Sequence, residues 1–516
     1  MWRRLLSAET GIFLGLWLGL MLFGRSTLLR DPGTFWHVEV GREILDSGSV
    51  LRSDPFSFTR GARPWTAHQW LAECGMAAVH GLSGFDGLLL ATATLLAAVY
   101  TWLASRMLRA GFHPLPVGVV LAAVLLAGSH QFHARPLIVS IGLLGLTFAW
   151  LIDVDAGRRP LRWLWWLVPV NVVWANLHAG VLAGIGTLGL CAAWWLFAWL
   201  LGKGHTPVRC RREAIELAVL TLLSVLAVLV NPYGLDLPRA WLATLAIPLP
   251  GLIEEHAPLD LRDPLGWTTL LLGFGYLAAL IGVFPGRLRA SWLVPLVWFV
   301  LACQRVRNVP LFAIMAAIGC VDLLPRSRWA GWLKRREMLQ PTGAEGVPRP
   351  DARATILPLI VVVAAAVLQI AGVSAPVVGR GWARFDPVRW PVGLLAELQE
   401  IDRKSPEDAP TRIFNDLSLG GFVIHHAPKL RVFIDDRCAL YGAEFLQAYE
   451  RARREDPAQL DRWQAEYGFR YALVERNADE EAASFDRHLR SSARWTRIGE
   501  SPGAVLYRFD PTAAEE

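Results

Sequence analysis

A chain of 516 residues with 53% hydrophobic content is too apolar for an ordinary soluble protein. Its net charge of +6 is spread over many short loops, which argues against a nucleic-acid-binding face and reads as membrane topology. The six cysteines (Cys74, Cys191, Cys210, Cys303, Cys320 and Cys438) show no C-x-x-C pair and no metal-ligand spacing, so no metal cluster and no disulfide pairing follows from them.

The first apolar run, near 11–29, is too long for a cleaved signal peptide and lacks a clear small-residue cleavage site. The loop after it, Arg30 to Gln69, is more polar and more patterned than a connector needs to be. Asp31-Pro32 predicts a helix start, with Asp31 at the N-cap and Pro32 at the first helical position. Beyond it, Glu39, Arg42, Glu43 and Asp46 share one face, and Trp36, Val40 and Ile44 form an apolar stripe beside them. That pattern predicts a helix lying in the membrane interface, with Asp31 at the mouth of the bundle. Gly48, the Ser53-Asp54-Pro55 turn and the stretch Pro64 to Trp70 bring the chain back to the bilayer.

Further apolar runs fall near 84–105, 114–130, 136–152, 161–176, 179–201, 214–231, 266–284, 290–303, 308–324 and 354–373, about eleven spans in all. With the N-terminus inside, Arg106, Arg109, Arg158, Arg159, Arg211, Arg212 and the 326–353 linker are cytoplasmic. This gives about twenty basic residues inside against about ten outside. The basic residues are nearly all arginine, as in a GC-rich bacterial genome, so the inner membrane of a bacterium is the expected location. An odd span count then places the C-terminal portion outside.

This topology puts the unusual polar segments on one face. They are the Asp31–Gln69 loop, His130 to Pro136, Trp174 to His178, Asn231 to Gly234, Glu254 to His256 and Gln304 to Asn308. Polar groups near a membrane are costly unless paired or functional, so their gathering predicts a site at the outer face. The predicted domains are a membrane bundle over 1–375 and a soluble extracytoplasmic α/β domain over 376–516, with the Gly- and Pro-rich stretch Gly343–Asp351 as a cytoplasmic linker. In the second domain, strands are predicted at Thr411–Phe414, Leu430–Ile434, Tyr471–Glu475 and Ala504–Phe509, and helices near 442–454, 457–467 and 479–492.

The residues Asp31-Pro32-Gly33-Thr34-Phe35-Trp36-His37, Ser53-Asp54-Pro55-Phe56-Ser57 and His68-Gln69-Trp70-Leu71 carry a family resemblance. A multi-span chain whose first outer loop opens on Asp resembles the GT-C class of membrane glycosyltransferases. That class includes oligosaccharyltransferase catalytic subunits, protein O-mannosyltransferases and lipid A aminoarabinose transferases. The resemblance extends to Ala134-Arg135-Pro136, Trp174 to His178, Asn231 to Gly234, Phe414 to Asp416, Gly420 to Phe422 and Phe433 to Arg437, which match uncharacterised bacterial members.

The resemblance implies transfer of a sugar from a polyprenyl-phosphate or -diphosphate carrier to an extracytoplasmic glycan, lipid or protein, with membrane lipids as the surrounding partner. Asp31 matches the position of the base that takes the acceptor's proton. Arg135, Arg305 and Arg307 are planar donors suited to the leaving phosphate, and Trp36, His37, Asp54, His68, His133 and His178 complete the expected substrate-binding set. Asp54, Glu254 and Glu255 are the oxygen ligands on offer for Mg2+ or Mn2+. Two departures stand out. The second outer loop presents His130 and His133 where oligosaccharyltransferases carry a metal-binding acidic pair, which leaves metal dependence open. Their Trp-Trp-Asp-Tyr-Gly motif is also missing, so protein N-glycosylation is not supported.

Each residue has a structural alternative: Asp31 as a plain helix cap, Asp54-Pro55 as a turn, Asn176 and His178 as partners of broken helix backbone, and Asp435-Asp436-Arg437 as an ion pair at a strand end. Two other classes stay open, a lipid-linked saccharide transporter and a non-catalytic envelope protein whose bundle anchors the outer domain.

Overall fold

The computed structural model describes residues 7–61, 63–246, 254–286, 288–340, 352–476 and 484–512. Every apolar run read from the sequence is helical: Ala8–Thr27, Trp70–Arg109, Pro114–Gly128, Leu137–Asp155, Leu167–Leu177, Val181–Leu201, Arg211–Leu226, Pro264–Ile281, Ala290–Gln304, Val309–Leu323 and Ile356–Ile370. Among the described residues, 7 helices are long and apolar enough to cross a membrane, and Ala290–Gln304 and Ile356–Ile370 are apolar but shorter. The chain is a multi-pass membrane protein.

Burial sorts these helices. Val309–Leu323 is buried along nearly its whole length and forms the central post, flanked by Leu137–Asp155, Ala290–Gln304, Pro114–Gly128 and Pro264–Ile281. Peripheral helices keep large apolar side chains exposed, among them Phe197, Leu200 and Leu271, as lipid-facing surfaces do. The span expected at 84–105 is the latter part of a 40-residue helix, Trp70–Arg109, broken at Ser83 and Gly84. Gly84 sits at φ 64, a left-handed backbone that suits glycine, and the break re-aims a rod that would otherwise run about 60 Å.

The outer-loop helix runs from Gly33 to Ser47 and ends on Gly48, whose φ of 65 closes it in the left-handed region. The stripe of Trp36, Val40 and Ile44 is buried as expected. The helix does not lie free in the interface, however. Its first nine residues are all buried, wedged between Trp70–Arg109 and the short helix Gly420–His426 of the C-terminal region. The polar face explains the difference. Glu39 points inward and its Oε1 lies 2.5 Å from His425 Nδ1, while Arg42 bonds the other oxygen at 2.8 Å. Gly41 shows how close the packing is, because a Cβ there would sit 1.9 Å from the Glu73 carbonyl oxygen. Gly41→Ala is therefore expected to destabilise the fold by about 1–3 kcal/mol, read as a lower Tm in detergent.

The C-terminal region carries one five-stranded sheet in the order β2-β1-β3-β5-β4. β1 (Arg412–Asn415) pairs in parallel with β2 (Arg431–Val432) and β3 (Tyr471–Glu475), and β5 (Ala504–Phe509) is antiparallel to β3 and to β4 (Trp495–Glu500). Four of these strands match the predicted ones. β4 is an edge strand whose Thr496 and Arg497 face solvent, so its sequence lacks the apolar run that marks the others. The helices Cys438–Arg454, Gln459–Tyr467 and Phe485–Ser491 fall where helices were expected. Residues 477–483 and the predicted linker Gly343–Asp351 lie outside the described residues.

The outer loop extends this sheet. Ser57 bridges in parallel to Val432, the Phe58 N–H donates to the Val432 carbonyl at 3.1 Å, and the Val432 N–H donates to the Phe56 carbonyl at 3.1 Å. The open edge of β2 is thereby covered. A second tie comes from Asp86, whose carboxylate accepts the N–H groups of Gly381 and Ala383 at 2.8 and 2.7 Å. Trp382 and Trp390 donate to the carbonyls of Met21 and Leu29. One continuous buried core runs from the membrane helices into the sheet.

Candidate functional site

Asp31 is both a cap and an ion-pair partner. Its Oδ1 accepts the Gly33 N–H at 2.8 Å, and Pro32, at φ −59, starts the helical path. Its Oδ2 accepts Arg135 Nη1 at 2.6 Å. Arg135 lies on the short link before Leu137–Asp155, and its Nη2 also reaches Glu255 Oε1 at 2.8 Å and the side-chain oxygen of Gln131. Glu255 belongs to the turn Glu254–His256, which is fixed by the Val306 N–H donating to the Ala257 carbonyl at 3.0 Å. In the same turn, His256 Nε2 lies 2.6 Å from Arg307 Nη1. Four separate inter-helix links thus meet at one buried cluster.

The remaining polar segments are tied to the same face. Asn176 Oδ1 accepts Trp70 Nε1–H at 2.8 Å, and its amide donates to the carbonyls of Val172 and Val230. Tyr233 donates to the Leu51 carbonyl at 2.9 Å, and Arg52 to that of Pro232 at 3.0 Å. His130 Nε2 lies 3.2 Å from the Val306 carbonyl. The six polar segments that the sequence placed on one side therefore form one connected layer.

Charge within the cluster is carried by arginine and carboxylate. Burial alone would lower Arg135, but Asp31 and Glu255 outweigh it and hold the guanidinium above its ordinary value. Burial would raise Glu255, yet Arg135 and Arg307 outweigh that and hold its carboxyl low. His256 is pushed down to about 3 by burial and by Arg307 and Arg305. Burial, against the pull of Asp31, brings His37 to about 3 as well. It also lowers His68 and His133, and His178 falls further under burial and the field of Arg307. The histidines are neutral near pH 7, so attraction for an anion comes from the guanidinium groups.

The expected substrate-binding residues divide. Trp36 and His37 stand directly after the Asp31 turn, with Trp36 Nε1 donating to Asp436 Oδ1 at 2.7 Å and His37 Nδ1 lying 2.9 Å from Glu73 Oε1. His133 Nδ1 is 3.2 Å from the Thr27 carbonyl, and His178 bonds Ser140 and the Gly180 N–H, each at 2.8 Å. His68 contacts Gln69 at 3.2 Å. Arg305 makes no side-chain hydrogen bond or ion pair among the described residues, whereas Arg307 is engaged with His256.

Asp54 belongs to a neighbouring network. Its oxygens accept Arg437 Nη1 at 2.8 Å, the N–H groups of Phe56 and Ser57, and the Ser57 hydroxyl at 2.5 Å. With those positions filled, Asp54 is poorly placed to hold a cation. Glu255 faces Arg135, and the side chain of Glu254 lies outside the described residues. No group of three His, Cys, Asp or Glu side chains suited to a metal ion occurs among the described residues.

Sequence reasoning placed Gln131 and His256 in the gathered polar segments but gave neither a role, and it treated Asp436 as part of a strand-end ion pair. Asp435 does form that pair with Arg437, but Asp436 turns the other way, to Trp36. The doubled acid after a strand was the only available signal.

Fold and site together define a polytopic membrane protein of the GT-C fold, with an acid–arginine cluster beneath a C-terminal α/β region. No protein-family model and no characterised sequence matches the chain. Among solved structures it is similar to the archaeal oligosaccharyltransferase AglB from Archaeoglobus fulgidus in complex with an inhibitory peptide and a dolichol-phosphate. The TM-score is 0.56 at 13% identity, over 91% of this chain and 69% of that one. The Archaeoglobus fulgidus oligosaccharyltransferase tethered to an acceptor peptide gives 0.54 at 12% identity, over 90% and 69%. ArnT from Cupriavidus metallidurans in the apo state gives 0.48 at 14% identity, over 99% and 100%.

Proposed function

We propose that the chain is a membrane glycosyltransferase that moves a sugar from a polyprenyl-phosphate-type lipid to an acceptor on the extracytoplasmic side. In this reading it sits in a bacterial inner membrane, with its N-terminus in the cytoplasm and its C-terminal domain outside. The observation that carries the proposal is the Asp31–Arg135 pair, set among Glu255, His256 and Arg307 where the outer links converge. The GT-C fold and the dolichol-phosphate held by AglB are consistent with it.

The chemistry follows from those groups. A lipid phosphate competes with Asp31 for Arg135, because its two charged oxygens suit the same guanidinium fork. Asp31 is thereby freed beside the acceptor. The acceptor oxygen bonds to the anomeric carbon and gives its proton to Asp31. The bond from that carbon to the phosphate oxygen breaks, and its electron pair leaves with the lipid phosphate. Arg135 and Arg307, with Arg305, balance the charge that develops there. The carboxylates that surround Arg135 keep this charge local until a phosphate arrives.

The test uses the full-length protein in proteoliposomes and a panel of synthetic farnesyl phosphate hexosides and pentosides, with water as the fallback acceptor. Release of farnesyl phosphate from at least one member is the expected result. An inert protein that instead moves labelled lipid across the bilayer points to transport.

A further inference from the structure

The chain segment after β2 places two acids side by side with opposite aims. Asp435 turns inward, where Arg437 and the Tyr441 hydroxyl bond it at 2.7–2.9 Å. The adjacent Asp436 turns toward the start of the outer-loop helix. There it meets Asp31 across Gly33, where an added methyl would sit 2.6 Å from Asp31 Oδ1 and 3.3 Å from Asp436 Oδ2. The seating is close, since a methyl on Gly421 would lie 2.3 Å from the Pro32 carbonyl. Asp436 is half-buried, its carboxyl enclosed between Gly33 and Trp36.

The two carboxyls have different partners. Asp31 faces a guanidinium at 2.6 Å. Asp436 has no cation within ion-pair distance among the described residues, and its side chain accepts from the neutral indole of Trp36 at 2.7 Å. Neighbouring like charges resist joint ionisation, and the member without a cation keeps the proton. Burial, then Asp31 and Asp435, push the Asp436 carboxyl well above the usual carboxylate range, while the Trp36 hydrogen bond pulls the other way. The other charged or titratable groups around it are Arg135 across the cluster with Glu255 behind it, His37 on the outer-loop helix, and Arg437 and Cys438 on its own segment. Paired carboxyls in such unequal surroundings divide into an acid and a base.

We infer that Asp436, contributed by the C-terminal domain, is the acid of the transfer step and protonates the departing phosphate oxygen while Asp31 takes the acceptor's proton. The inference rests on the transfer reading above and adds a second catalytic carboxyl to it. In the step, the acceptor oxygen bonds to the anomeric carbon and its proton goes to Asp31. The bond from that carbon to phosphate oxygen breaks with its electron pair on oxygen, and that oxygen takes the Asp436 proton. The pair is left with its protonation reversed, and exchange with water resets it. The outer domain on this reading completes the active site.

The test uses the full-length enzyme with whichever farnesyl phosphate glycoside the wild type cleaves. Asp436→Asn keeps an acceptor for Trp36 but cannot give up a proton. It is expected to lower kcat about a hundredfold with KM within about twofold, and to remove the alkaline limb of the rate–pH profile. Trp36→Phe removes a bond that favours the ionised form, so its alkaline limb is expected to move to higher pH. Full kcat in Asp436→Asn, or a lowered kcat with the alkaline limb intact, overturns the assignment. Should Asp436→Asn fail to fold, an unmoved limb in Trp36→Phe overturns it as well. A wild type inert toward the whole panel overturns the transfer reading and this inference with it.

Discussion

Asp31→Asn is expected to reduce sugar transfer by about 10²–10⁴-fold while leaving the thermal transition nearly in place. Asparagine is a good helix cap, so its side-chain oxygen continues to accept the Gly33 N–H that Asp31 Oδ1 holds at 2.8 Å. Arg135 loses one carboxylate but keeps Glu255 at 2.8 Å and Gln131, so no isolated buried charge is created. What disappears is a group able to take a proton beside a guanidinium. Lipid-phosphate release and Tm, measured on the same preparation, separate these effects. Wild-type turnover in the variant would remove Asp31 from the mechanism and leave it a cap alone. A large fall in Tm with proportionate loss of activity would assign it a structural role.

The layout of the membrane helices was legible because apolar runs of bilayer length leave few alternatives, and polar residues at their outer ends stand out against that background. Asp31 stood out as an acid before a proline at a helix start, and Asp31 and Arg135 both lie in stretches that carry the family resemblance. Contacts that span the whole chain were not. The Trp36–Asp436 bond joins residues 400 positions apart, and no periodicity in either segment announces it. The outer-loop helix was read as interfacial because its polar face looked suited to water. Its true neighbour was a histidine pair in Gly420–His426, which a pattern confined to one helix does not show. Asp54 was likewise read without its partner, since Arg437 lies 383 positions further along the chain.

Arg437→Met is expected to cost about 3–5 kcal/mol and to loosen the C-terminal domain from the bundle. The guanidinium is almost fully buried and bridges the two regions, donating to Asp54 at 2.8 Å and to Asp435 at 2.7–2.8 Å. Its carbon lies 4.8 Å from the centre of the Trp65 ring and 5.2 Å from that of Phe56, so cation–π attraction adds to the ion pairs. Methionine fills much of the volume but leaves two buried carboxylates without a cation. Lysine offers a point charge where a fork is needed and is not expected to rescue the fold. Because Asp54 loses its partner in the same event, Asp54→Asn combined with Arg437→Met is expected to be milder than the sum of the two single variants. A lowered Tm and faster proteolysis of the outer loop near Ser57 would show the seam opening, and an unchanged Tm would mean that apolar packing alone holds it. Activity is expected to fall with the seam, because Asp436 immediately precedes Arg437 in the chain and reaches Trp36 only while Arg437 is anchored.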